Sequence, residues 1–278
     1  MSKIDLSDKV AIVTGGGRGL GRAMTLSLVE AGASVCAATY IAEDIDKLSA
    51  ECESLPGRVL AIETDIREAG DCAKAVRATI DEFGDVDMLV NNAGVGMALI
   101  SDSFTRDPTK FWEVEPDTWR RIIDTNFTGA FQMAREATPH MLDKGWGRIV
   151  NVTTSVHTMQ RKGFSPYGSS KAAFEAASLS WAEDLEGTGV TVNILIPGGA
   201  ADTNLLPGNP GDPGRVGADG MLLDPVVMTS GIQWLASSYS DGVTGMRFIG
   251  KDWDSSLPLE RGTENAAGPI GFAPRPKA

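Results

Sequence analysis

Basic residues, histidine and cysteine are all in short supply in this 278-residue chain. Lysine and arginine number 25 against 37 aspartates and glutamates, a formal net charge of −12. General binding to nucleic acid or to an anionic membrane draws on counterion release at a basic surface, so this balance argues against both. It leaves room for a phosphate-bearing cofactor, which a few local groups can hold. With only two histidines, His140 and His157, and no His-Glu-x-x-His, a zinc hydrolase has no ligands. Cys36, Cys52 and Cys72 have no Cys-x-x-Cys spacing and give neither a disulfide framework nor a zinc cage, so no metal is expected. No apolar run approaches the ~20 residues of a membrane-spanning helix. The first nine residues are charged and carry no apolar block, unlike a secretory signal. A cytoplasmic location is the expectation. Gly-x-Ser-x-Gly and Gly-x-x-x-x-Gly-Lys-Ser/Thr are also missing, which removes the common serine hydrolase and nucleotide triphosphatase readings.

What is present suits one globular domain: 42% hydrophobic and 22% charged residues. Short apolar runs alternate with helix-patterned stretches. Strands are predicted at 9–14, 34–39, 59–64, 87–90, 147–152 and 191–196, with a further edge strand at 247–249. Helices are predicted from Gly21 to Ala31, around Leu48 up to Pro56-Gly57, and over 69–83, 119–141, 167–185 and 231–236. Such alternation predicts an α/β fold, a doubly wound parallel sheet with helices on both faces, its ligands at the carboxyl ends of the strands. Two regions break the pattern. The segment 95–116 is long for a connection and, with the Gly/Pro-rich stretch inside 199–230, is predicted to shape a substrate pocket. Residues 257–278 follow the catalytic unit, 1–256, as a Pro/Gly-rich irregular tail.

The turn after the first strand reads Thr14-Gly15-Gly16-Gly17-Arg18-Gly19-Leu20-Gly21. Glycines there let the chain turn tightly and let a pyrophosphate approach the N–H groups at a helix start. Asn91-Asn92-Ala93-Gly94 follows the fourth strand, Asn126 lies in the long helix, Tyr167-x-x-x-Lys171 opens another helix and Pro197-Gly198 ends the sixth strand. In this order, from about Val10 to Ile249, the sequence resembles the short-chain dehydrogenase/reductase family, in its smaller-subunit branch. The resemblance implies a Rossmann-like single domain and an enzyme moving a hydride between NADP(H) or NAD(H) and a carbonyl or secondary alcohol. A non-catalytic dinucleotide sensor or scaffold of the same fold is the alternative. The family also implies a homo-oligomer, tetramer or dimer, built through the long helices.

Tyr167 and Lys171 are four apart and share one helix face. A nearby ammonium favours the phenolate, which suits Tyr167 to acid/base work. By the resemblance, Lys171 also holds the nicotinamide ribose and Asn126 anchors a relay water. The family's serine is absent: counting back from Tyr167 reaches Thr154, favoured over its neighbour Ser155 as the donor to the substrate oxygen. Cofactor contacts implied by the resemblance are Gly15, Arg18, Gly19, Leu20, Gly21, Thr39, Tyr40, Asp65, Ile66, Asn92, Ala93, Gly94, Tyr167, Lys171, Pro197, Gly198 and Thr203. The second strand ends in Thr39-Tyr40 and lacks a carboxylate, and Arg18 is suited to pair with a 2′-phosphate, so NADP is preferred to NAD. Met97, Leu99, Phe104, Trp112, Met159, Phe164, Leu205 and Leu206 are expected to give the substrate end an apolar wall.

Overall fold

In the computed structural model, which describes residues 4–213, 215–217 and 220–271, the alternation becomes eight strands and eight helices. The strands are β1 (Val10–Thr14), β2 (Ser34–Thr39), β3 (Arg58–Glu63), β4 (Met88–Asn91), β5 (Gly147–Asn151), β6 (Val190–Ile196), β7 (Met246–Ile249) and β8 (Ala267–Pro269). The helices are α1 (Gly19–Glu30), α2 (Glu43–Cys52), α3 (Ala69–Phe83), α4 (Pro116–Ile123), α5 (Gly129–Lys144), α6 (Val156–Met159), α7 (Tyr167–Asp184) and α8 (Thr229–Ala236). The remaining residues, including part of the charged start, of the 199–230 segment and of the C-terminal tail, lie outside the described residues.

The strand order is β3-β2-β1-β4-β5-β6-β7-β8, parallel up to β7. Buried strands point successive side chains to opposite faces. Ala11 and Val13 therefore join one core with Met24 and Leu28 of α1 and Ile232 and Leu235 of α8. Ile12 joins the other, with Cys72 and Val76 of α3 and Met133 and Met141 of α5. The chain reverses direction across the sheet between β1 and β4, which opens a crevice above their carboxyl ends.

Two sequence-based expectations need correction. The single helix over 119–141 is divided: α4 ends at Ile123, a π-helical turn occupies Asp124–Thr128, and α5 runs on from Gly129. The extra residue of that turn accompanies the buried Asn126 side chain, which bonds out of the helix to the backbone of Val95. Strand 247–249 is also not the sheet edge. Residues 267–269 of the expected irregular tail return antiparallel to β7, burying Ala266 and Ile270. A three-residue strand ending in Pro269 carries almost no propensity signal, but an edge tolerates the missing N–H. Trp234 Nε1 fastens the same segment by donating to the Leu259 carbonyl at 2.9 Å.

Candidate active site

The carboxyl ends of the strands open onto a cleft of about 880 Å³. Gly15, Arg18, Gly19, Leu20, Thr39, Tyr40, Asp65, Ile66, Asn92, Ala93, Gly94, Thr154, Ser155, Tyr167, Lys171, Pro197, Gly198 and Thr203 all line it. Gly21 and Asn126 sit beneath the surface instead and shape it from below. Gly15 and Gly19 adopt φ of 62° and 53°, left-handed values that favour glycine. A Cβ on Gly21 would come within 2.0 Å of the Gly15 carbonyl oxygen, so the turn can fold over the helix start only without one. Thr14 fastens this turn to the end of β4: its Oγ1 accepts from the N–H groups of Asn92 and Ala93 at 2.9 and 3.0 Å. Asn92 Nδ2 donates back to the Thr14 carbonyl at 2.9 Å. The result is a backbone cradle with room for a pyrophosphate, so the donor set fits a dinucleotide.

Farther along the rim, Tyr167 and Lys171 lie on the first turns of α7, only 8% and 4% exposed. The Thr154 hydroxyl lies near enough to the Tyr167 phenol to favour its ionised form. Ser155, although it lines the cleft too, has its Oγ engaged as the cap of α6, accepting from the Thr158 N–H at 3.2 Å. Lys171 Nζ donates to the Val152 carbonyl at 2.8 Å. The expected lowering of the phenol by the ammonium is not what this arrangement produces. Burial dominates, pushing Tyr167 up to about 12 against the pull of Thr154, and pushing Lys171 down to about 8. Asn126 spends its side chain on structure. Its Oδ1 accepts from Val95 N at 2.8 Å, and its Nδ2 donates to Val95 O and Ser170 Oγ, both at 3.0 Å. A Cβ on Gly94 would fall 3.2 Å from Asn126 Oδ1 and 3.6 Å from Lys171 Nζ, so these residues surround one small space.

Met97, Leu99, Phe104, Phe164, Leu205 and Leu206 form an apolar wall, with Phe104 and Phe164 packed edge to face at 5.6 Å. His157 also lines the cleft. Trp112 does not: it stands 68% exposed against Phe111, and Met159 is buried below the surface. At the opposite end, Arg18 is not a free cation. Its Nε and Nη2 donate to the two carboxylate oxygens of Asp44 at 2.6 and 2.9 Å. Arg67 forks onto Asp65 in the same way, which holds the Asp65 carboxyl below its ordinary value.

A family model described as short chain dehydrogenase matches residues 9–210. The chain belongs to that family. It is 33% identical over 193 residues to the 3-oxoacyl-[acyl-carrier-protein] reductase FabG of Thermotoga maritima, covering 69% of this chain and 74% of the relative. A dehydrogenase/reductase from Sinorhizobium meliloti superposes with a TM-score of 0.75 at 31% identity, over 89% of this chain and 94% of its own. A 3-ketoacyl-(acyl-carrier-protein) reductase from Brucella melitensis, crystallised with NADH, gives 0.74 at 28% identity, over 86% of this chain and 95% of its own. This short-chain dehydrogenase is accordingly an oxidoreductase that uses a nicotinamide dinucleotide. Among its described residues, no helix is long and apolar enough to cross a membrane.

Sequence reasoning missed a polar network under the rim. Fully buried Glu175, one turn beyond Lys171, accepts from Thr153 Oγ1 at 2.9 Å and pairs with Arg247 of β7. It thus ties the segment preceding Thr154 to α7 and to β7. Asn91 Nδ2 donates to Asn151 Oδ1 at 3.0 Å, and Asn151 Nδ2 donates to Ser178 Oγ at 2.9 Å. The only sequence signal was polarity where a strand end or helix face should be apolar; the partners lie 22 to 72 residues away.

Proposed function

We propose that this short-chain dehydrogenase interconverts a carbonyl and a secondary alcohol on an apolar small molecule. The apolar wall beside Tyr167 supports that substrate class. So does the printed name of the Thermotoga maritima relative, since a 3-oxoacyl group carries a ketone on an acyl chain. The bound dinucleotide, NAD(H) or NADP(H), supplies or accepts the hydride. The backbone cradle of Gly15, Gly19 and Asn92–Gly94 holds its phosphates and ribose, while Thr203, Pro197 and Gly198 flank the reacting end.

Tyr167 gives its phenolic proton to the carbonyl oxygen as the hydride reaches the carbonyl carbon, or takes it from the alcohol in reverse. A phenol kept protonated by burial is the form that reduction consumes, so reduction is favoured near neutral pH and alcohol oxidation gains as pH rises. Thr154 is the second donor to that oxygen, because its hydroxyl lines the cleft beside Tyr167 whereas that of Ser155 is occupied at α6. Threonine in place of serine therefore keeps the hydroxyl, which weighs against a sensor without turnover. Lys171 places positive charge beside the space bounded by Gly94. Asn126 positions Val95 and Gly94, and a π-helical turn is the kind of distortion that leaves a backbone carbonyl for a relay water. Exposed Phe131, Leu142 and Leu179 on α5 and α7 support a homo-oligomer through these helices. Three free, buried cysteines suit a reducing cytoplasm.

The observation that carries this reading is Tyr167, Thr154 and Lys171 converging on one rim of the cleft. Tyr167→Phe is expected to lower turnover about 10³-fold or more while NADH and NADPH dissociation constants stay within about twofold. Full turnover in that variant would remove Tyr167 from the reaction.

A further inference from the structure

We infer that Asp44 sets the choice between NAD(H) and NADP(H) and biases this site toward NAD(H). The inference rests on the dinucleotide reading above and concerns the end of the cleft near β2. That strand ends in Thr39 and offers no carboxylate to a ribose diol. Asp44, in the first turn of α2, returns to the same place. A Cβ built on Gly17 would lie 2.6 Å from Asp44 Cβ, 3.1 Å from Thr39 Oγ1 and 3.2 Å from Asp44 Oδ2. The phosphate-binding turn, the end of β2 and the start of α2 therefore meet at one point.

The Arg18 guanidinium stands at that point with its Nε and Nη2 committed to Asp44. Its side chain is 41% exposed and lines the cleft, whereas that of Asp44 is 13% exposed and lies behind it. Glu43 is close enough to add a second negative charge on Arg18. One cation and two carboxylates leave a local charge of −1. Of the other arginines at this end, Arg67 lies with its guanidinium carbon 5.7 Å from the centre of the Tyr40 ring and is likewise forked onto Asp65, and Arg121 places its charge toward that same carboxylate rather than toward Arg18. A 2′-phosphate carries nearly two negative charges and needs an unclaimed fork. Here it would have to displace one carboxylate and face another. A 2′-hydroxyl is neutral and meets no such penalty, and Thr39, which lines the cleft, offers it a hydroxyl partner. Arg18 considered alone pointed to NADP(H); Asp44 reverses that preference.

The test is direct binding of NADH and NADPH, without substrate, to the full chain and to Asp44→Asn and Asp44→Ala, read by cofactor fluorescence and calorimetry. The wild type is expected to bind NADH more tightly. Either substitution should tighten NADPH at least tenfold, or about 1.4 kcal/mol, and change NADH less than about threefold. Adding Arg18→Ala should cancel the gain. A wild type that prefers NADPH, or an Asp44 variant whose ratio of the two constants moves less than twofold, overturns the assignment. Failure of the wild type to bind either dinucleotide would instead overturn the reading on which it rests.

Discussion

At the β2–β3 end of the cleft, Arg18 and Arg67 are each forked onto an aspartate and remain 41% and 30% exposed. At the β5–β6 end, Tyr167 and Lys171 have neither a carboxylate partner nor much access to water. Water dominates the first end. Charges there pair across a screened surface, so each pair contributes little to folding and, on the inference above, bears mainly on which ligand is welcome. Desolvation dominates the second. The same physics that destabilises a buried ammonium pushes the two groups' proton affinities far from their ordinary values. One cleft therefore combines a charge-paired end open to water with a buried end whose side chains carry a folding penalty, which are the recognition end and the chemical end of the function proposed above.

The sharpest separation should come from Lys171. Its amine sits at about 8, against 10.5 for an ordinary lysine. Between those values the unfolded chain holds a proton that the folded chain does not, so this group makes stability rise with pH across that window. Below pH 8 the buried ammonium exacts its full cost. Tyr167 behaves in the opposite sense: raised to about 12, it makes stability fall only above about pH 10. Lys171→Met should therefore show its largest stability advantage near pH 7. By pH 10.5 that advantage should shrink by about 3 kcal/mol in denaturant titrations. A gap independent of pH would place the Lys171 amine in water and erase the contrast between the two ends.

The contrast sharpens again at the neighbouring hydroxyls. Thr154→Ala should cost roughly 10²-fold in turnover, or about 2.7 kcal/mol of barrier, with dinucleotide binding little changed. Ser155→Ala should leave turnover within about threefold and lower stability by about 1 kcal/mol through loss of the α6 cap. Steady-state kinetics on the two variants checks both halves. The opposite pattern would transfer the donor role to Ser155.

How much of this was visible beforehand depends on how local the determining contacts are. Strand β2 and helix α3 fall on the predicted residues, 34–39 and 69–83, because their periodicity is strong and Gly32 and Gly84 punctuate it locally. The cleft residues were legible because a phosphate turn, an Asn-Asn-Ala-Gly and a Tyr-x-x-x-Lys each report a local geometry. The π-helical turn was hidden, since no proline or glycine interrupts 119–128. It is tied instead to Val95, 31 residues earlier. Strand β8 was hidden because the free edge of β7, not the propensity of Ala267–Pro269, recruits it. The partners of Arg18 and Glu175 were hidden for the same reason: a salt bridge across 26 or 72 residues leaves no periodic trace. Asp44 in particular reads as an ordinary acidic residue in the first turn of a helix.

The smallest effect should appear where the charge pairing is densest. Arg67 bonds Asp65 through both Nε and Nη2, a geometry that invites a large stability estimate. Three features of the site argue for a small one. The side chains are 30% and 19% exposed, so water solvates whatever is left behind. Asp65 keeps a second donor, because its Oδ1 also accepts from the Arg67 backbone N–H at 3.0 Å. The two residues are adjacent in the chain but one, so much of their attraction persists after unfolding. Arg67→Gln should therefore change unfolding free energy by less than about 1 kcal/mol in denaturant titration at low salt, and by less still at 0.5 M salt. A loss above about 2 kcal/mol that persists in salt would mean that this end is as dry as the other. The division of the cleft into a recognition end and a chemical end would then fail at its recognition side.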